Sequence, residues 1–162
     1  MATKKKAARK VATKVEAYGN TWTGVVEGTI AQVRAAEAAL GVKIPDGLSK
    51  LLQSCGCGEP ARGFYYSKRF KVEVGVGHIV PLVDQPKING IVAEASVRRR
   101  VIGLPDHFIP FALDNGNSDV LCVDLKTEKI VYWLHDEEPD ERGQVVAGSL
   151  ADFLSGLEES PD

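Results

Sequence analysis

His107-Phe-Ile-Pro-Phe-Ala-Leu-Asp-Asn-Gly-Asn-Ser-Asp-Val-Leu-Cys-Val-Asp-Leu-Lys-Thr-Glu-Lys-Ile-Val-Tyr-Trp-Leu-His-Asp-Glu-Glu138 decides the fold. It holds three short apolar runs, Phe108 to Leu113, Val120 to Leu125 and Ile130 to His135, separated by two polar segments. Asp114-Asn-Gly-Asn-Ser118 is dense in residues that accept positive φ or bond their own backbone, so it turns the chain. Lys126-Thr-Glu-Lys129 has the length of a hairpin loop. The stretch predicts a three-stranded antiparallel meander ending in an acidic cluster.

The segments on either side supply helices and further strands. Val26, Ile30, Val33 and Leu40 fall at helical spacing, which predicts a first helix somewhere within Trp22 to Leu40, closed by Gly41. Pro45 opens a second helix whose buried stripe is Leu48, Leu51, Leu52 and Cys55. Phe64-Tyr-Tyr66 and Phe70 to Val76 read as strands, the second with strict alternation, and Gly75 and Gly77 suggest a bulge. His78 to Leu82 reads as an edge strand or link, because Pro81 cannot donate to a central ladder. Asn89 to Val101 predicts a middle helix carrying Arg98-Arg-Arg100, either a contact for an acidic partner or a solvated helix end. Ser149 to Leu157 is a last helix, with Ser149 and Asp152 at capping-box spacing.

The net charge of −2 conceals an asymmetry. Residues 1–14 carry six bases (Lys4, Lys5, Lys6, Arg9, Lys10 and Lys14) and no acid, so the remainder sets fourteen bases against twenty-two acids, a net of −8. From Asp114 onward the net is −10. An acidic body repels nucleic acid and attracts basic partners, whereas the basic arm does the reverse. Residues 1–20 are expected to form a flexible tail, residues 21–158 a single α+β domain and residues 159–162 a second tail. The basic arm is either a contact for an anionic partner such as nucleic acid or a solubilising extension.

Chemical motifs are weak. Cys55-Gly-Cys57 lacks the further paired ligands of a zinc site and the two-residue spacing of a redox dithiol, which leaves a structural role. Asp114, Asp119 and Asp124 recur every five residues, but a calcium loop needs glycine at its sixth position and here finds Asp119. Histidines 78, 107 and 135 have no nucleophile beside them. No metal, no cofactor and no catalysis are expected. Three cysteines and no membrane-spanning run suggest the cytoplasm.

The series Ile30…Ala36-Glu-Ala-Ala-Leu-Gly-Val-Lys-Ile-Pro45…Leu51-Leu52, then Ile109-Pro-Phe-Ala-Leu-Asp114 with Asp119, Leu121, Cys122 and Asp124, then Ile130-Val-Tyr-Trp-Leu-His-Asp136 and Ser149-Leu-Ala-Asp-Phe-Leu154, resembles the SUKH superfamily. The branch it resembles contains the yeast cell-wall-assembly and glucan-synthase regulator and many bacterial relatives. The resemblance spans about residues 26–157, and Phe64 to Leu82 and the Arg98 region depart from it. It implies a curved, mostly antiparallel sheet with helices packed against it. For bacterial members it implies an immunity protein that binds and neutralises a cognate toxin, often a nuclease, of a polymorphic or contact-dependent system. The binding surface expected from the residues is Tyr132 or Trp133, whichever faces outward, with Asp136, Glu137, Glu138, Asp140 and Glu141 as an acidic rim. A scaffold or regulatory module without a toxin partner, and a nucleic-acid-associated protein using the basic tail, are the competing readings.

Overall fold

The computed structural model describes residues 11–116 and 118–161. Strands β1 (Val11–Ala17) and β2 (Asn20–Val26) form an antiparallel hairpin. Tyr18 and Gly19 make its two-residue turn, both with positive φ, the geometry that matches strand twist. Trp22 is fully buried, which anchors the hairpin in the core, and it donates its indole N–H to the Ala17 carbonyl at 3.0 Å within the hairpin.

This corrects two expectations. The tail expected over residues 1–20 gives way to strand at Val11, so Lys14 is an exposed strand residue. Trp22 and Val26, expected in or beside the first helix, belong to β2. The turn at Tyr18 reverses the chain, and pairing with β1 along the length of β2 outweighs the helical spacing of Val26 with Ile30. Residues 1–10, with Lys4, Lys5, Lys6, Arg9 and Lys10, lie outside the described residues.

Helix α1 (Ile30–Leu40) starts at a capping box. Thr29 accepts from the Gln32 backbone and the Gln32 side chain accepts from the Thr29 backbone. Val33 and Ala36 face the core, whereas Ile30 is half exposed. Helix α2 (Asp46–Cys55) buries the expected Leu48, Leu51, Leu52 and Cys55. Cys57 follows at φ +63°, buried beside Gly58. All three cysteines are buried free thiols, and burial pushes each thiol above its ordinary range.

Short β3 (Glu59–Pro60) pairs with β2 and completes the smaller sheet. Then β4 (Phe64–Ser67), β5 (Val72–Ile79), β6 (Phe108–Asp114), β7 (Val120–Asp124), β8 (Ile130–Trp133) and β9 (Gly143–Ala147) lie side by side in chain order, every pair antiparallel. The meander read from residues 107–138 is the middle of this sheet. The sheet curls until β5 and β9 touch. The Cys57 N–H donates to the Ile79 carbonyl and the Ile79 N–H to the Gly58 carbonyl, which joins the two sheets.

Helix α3 (Ile91–Ile102) fills the connection between β5 and β6 and packs on β6 and α1. Helix α4 (Leu150–Ser155) is capped by Ser149, which accepts from the Asp152 backbone at 3.1 Å. Its Phe153 packs against Tyr65 and Phe111. Beyond α4 the chain pairs Glu158 with Phe64, along β4.

β5 pairs on both sides and is not an edge strand. The bulge suggested by its glycines lies between Val76 and His78. A Cβ on Gly77 would stand 2.5 Å from the Asp114 carbonyl oxygen, so only glycine fits there without movement. A second register shift falls at Pro110–Ala112, where a proline sits inside a central strand at an irregularity that tolerates its missing N–H.

Candidate interaction surface

Strand β8 sends Tyr132 and Trp133 to opposite faces. Trp133 is 7% exposed, lies edge-on to Phe108 and points its indole nitrogen at the Ile102 carbonyl 3.4 Å away. It is a core residue and leaves the expected contact surface. Tyr132 is half-buried on the other face, and its hydroxyl donates to Asp114 at 2.9 Å. Burial first, then the neighbouring carboxylates of Asp114 and Asp119, hold that phenol well above its ordinary range, so it stays a donor.

The aspartates that recur along this meander do turn and anchoring chemistry. Asp114 Oδ1 accepts from the backbone N–H groups of Ser118 at 3.1 Å and Asp119 at 3.4 Å, which closes the β6–β7 turn. Asp124 does the same in the β7–β8 loop, accepting from the Lys126 backbone at 2.9 Å and the Thr127 hydroxyl at 2.9 Å. Asp119 accepts from both the backbone and the ring of His135. Among the described residues no group of histidine, cysteine and acidic side chains is arranged to hold a metal ion.

His135 leads into the acidic rim. Asp136, Glu137, Glu138, Asp140 and Glu141 are all exposed. The base that follows them, Arg142, turns inward: its guanidinium donates to the Glu137 carbonyl at 3.0 Å and to the Ile102 carbonyl at 2.8 Å. Leu134 and Arg142 close the loop base through a backbone bond of 2.8 Å, and Glu141 bonds back to Glu138 at 2.8 Å. The loop therefore presents five carboxylates on a backbone held from inside. Its charges lie in water at high dielectric, where any single charge pair is weak.

Two of the three bases on α3, Arg98 and Arg99, do local work. Arg98 pairs with Glu94 at 2.7 Å and donates to the Ser118 carbonyl, which ties α3 to the β6–β7 turn. Arg99 reaches the carbonyl of Asp106 at 3.0 Å. Between α3 and β5 lies a cleft of about 490 Å³ that the sequence pattern does not foreshadow. Its lining comes from residues far apart in the chain, among them Glu59, His78 and Glu94.

A model of the SMI1/KNR4 family (SUKH-1) matches residues 28–156, most of the chain. The chain belongs to the SMI1/KNR4 family. The SUKH-1 match begins at Gly28, just after β2, so the β1–β2 hairpin precedes it while sharing its core through Trp22 and Val25. The SUKH-1 assignment fits an immunity protein or a related regulator, a family whose members are generally non-catalytic. No curated protein is matched by the chain. Among the described residues, no helix of this SUKH-1 protein is long and apolar enough to cross a membrane.

Proposed function

We propose that this SUKH-1 protein is a non-catalytic immunity protein that binds and neutralises a cognate toxin, most simply a nuclease, in the cytoplasm. The observation that carries the reading is the Asp136–Glu141 loop. Five exposed carboxylates stand on a backbone pinned by Arg142, whose own charge is turned inward. A nuclease gathers cationic side chains to hold phosphates, and a rigid carboxylate array competes for the same groups. The contact set is the acidic loop with Tyr132 beside it. Asp114 and His135 are accounted for by the bonds that hold the turns, which supports a binding role for this end of the sheet.

The test is stoichiometric binding of the purified protein to the toxin domain encoded beside its gene, with suppression of that domain's activity. Charge reversal at E137K, E138K and E141K is expected to slow association by about tenfold at low salt and much less at high salt. An unchanged rate removes the acidic-loop mechanism, and failure to bind removes the immunity reading.

A regulator without a toxin partner is the second reading, favoured by the family assignment itself. It would use the same surface, and a neighbourhood without a toxin gene would select it. A nucleic-acid role through the basic arm predicts binding that residues 1–14 carry and salt abolishes.

A further inference from the structure

The first hairpin leaves a border open. In the smaller sheet the strand order is β1, β2, β3, so β1 is paired on one side only. The outer strand of the larger sheet, β4, is bordered by the chain at Glu158, whereas no described segment borders β1. Which backbone groups face outward follows from the turn. A two-residue turn with positive φ at both Tyr18 and Gly19 makes Ala17 and Asn20 exchange their backbone bonds. Bonded and unbonded pairs then alternate along an antiparallel ladder, so Val15 bonds Trp22, while Glu16 and Lys14 stand opposite Thr21 and Thr23 without bonding them. Thr21 agrees with this phase: its carbonyl accepts from Ala61 at 2.8 Å and its N–H donates to the Asn20 side chain at 2.9 Å, so neither is spent on Glu16. The N–H and C=O groups of Lys14 and Glu16 therefore point away from β2, along the open border.

The side chains on this border are of opposite sign. Lys14 and Glu16 are exposed on one face of the strand, and Val15 and Ala17 are half-buried against the core on the other, where α2 packs. Glu16 accepts from the Thr21 hydroxyl at 2.7 Å, which holds its carboxylate beside the border. A carboxylate that accepts one such bond keeps lone pairs for a second donor. No described ion pair engages Lys14 or Glu16.

We propose that β1 is a self-association edge: two copies of the chain join antiparallel about a twofold axis at Val15, with Lys14 of each copy opposite Glu16 of the other. In that register Lys14 exchanges both backbone bonds with Glu16 of the second copy, and the symmetry repeats the exchange. The facing side chains lie on one face as opposite charges, which stabilises a cross-strand pair. A slip of two residues also pairs outward groups with outward groups. It would set Lys14 against Lys14 or Glu16 against Glu16, and like charges directly opposite repel. Charge thus selects both the occupant, a second copy, and the register. The axis stands normal to the sheet, so Val15 and α2 of each copy keep the face they already occupy. So short a ribbon makes a weak dimer, formed at high concentration. The inference is independent of the toxin reading, and the hairpin lies ahead of the family match.

The test is sedimentation velocity of the full chain from about 10 μM to about 1 mM, with amide exchange followed by NMR at both ends of the range. A monomer–dimer equilibrium is expected. The amides of Lys14 and Glu16 should gain protection with concentration, while that of Val15, already bonded, changes little. K14E leaves both border positions acidic and E16K leaves both basic, so each should weaken association about tenfold. An equal mixture of the two variants should associate as the wild type does, and so should the doubly exchanged K14E/E16K chain. A chain that stays monomeric throughout, association that neither substitution weakens, a mixture no better than its components, or protection confined to other strands would each overturn the proposal. Protection of Lys14 and Glu16 that appears in a monomer only when the toxin domain is added would overturn it too, in favour of a foreign strand at the same edge.

Discussion

Nδ1 of His135 lies 2.7 Å from Oδ1 of Asp119, and the His135 backbone N–H donates to the same oxygen at 2.8 Å. The other ring nitrogen, Nε2, lies 2.9 Å from Asp136 Oδ1. Ionised carboxylates only accept, so satisfying both requires a proton on each nitrogen and therefore an imidazolium. The hydrogen bond to Asp119 is the main force raising this group above its ordinary range, aided by the charges of Asp119 and Asp136 and opposed by desolvation and Arg98.

The folded state thus holds a proton that the unfolded chain releases near pH 6.5. The stabilisation is complete below about pH 6.5 and fades as pH rises through the higher folded value. His78, held below its ordinary range by burial, has the opposite sense and costs stability on acidification. Comparison with H135Q, which keeps His78, isolates the first effect. The urea midpoint of the wild type should fall toward that of H135Q between about pH 6 and pH 9. In D119N the NMR titration midpoint of His135 should drop toward about 6.5.

Trp133 is one of two aromatic candidates for the partner surface, and its burial turns it into a stability probe. W133A should cost about 3–5 kcal/mol in urea unfolding, the cost of emptying an aromatic site in a packed core. Y132F removes one hydroxyl from Asp114, which keeps its bonds from Ser118 and Asp119, and should cost about 1 kcal/mol.

Two glycines should respond oppositely to alanine. G77A drives a Cβ against the Asp114 carbonyl and is expected to cost about 1–3 kcal/mol. Gly47 lies exposed in the first turn of α2, and nothing stands within 4 Å of where a methyl group would project. It should accept alanine with a gain of about 0.5–1 kcal/mol. Chemical denaturation of both variants checks the pair.

Arg142 holds the acidic loop by its carbonyl contacts, so R142A should loosen residues 136–141 while leaving all five carboxylates in place. Faster amide exchange confined to that loop is expected, with a stability loss of about 1–3 kcal/mol.

Much of this molecule could be read locally. The meander, the α2 stripe, the Gly41 cap and the Ser149 cap each depend on neighbours within a few residues, and each stands where expected. The β1–β2 hairpin escapes such a reading because the alternation Lys14-Val15-Glu16-Ala17 is only four residues long and continues directly from a basic arm, and because Tyr18 is a poor advertisement for a turn of positive φ. At the surface, the acidic residues are legible as charge, but the inward rotation of Arg142 is not, since its acceptor on Ile102 is forty positions away. The cleft is hidden more deeply. Without the bulge at Gly77, His78 would follow Val74 and Val76, and no local pattern states that Glu59 and Glu94 meet beside it.

The pairing of Glu158 with Phe64 makes the last residues a guard rail for an otherwise sticky border. Two backbone bonds, from Phe64 to Glu158 at 3.0 Å and back at 2.7 Å, occupy groups of β4 that would otherwise invite a strand from another molecule. A protein trimmed after Leu157 would keep its core yet expose that border. Its failure would show first as concentration-dependent association through β4, before any loss of melting temperature.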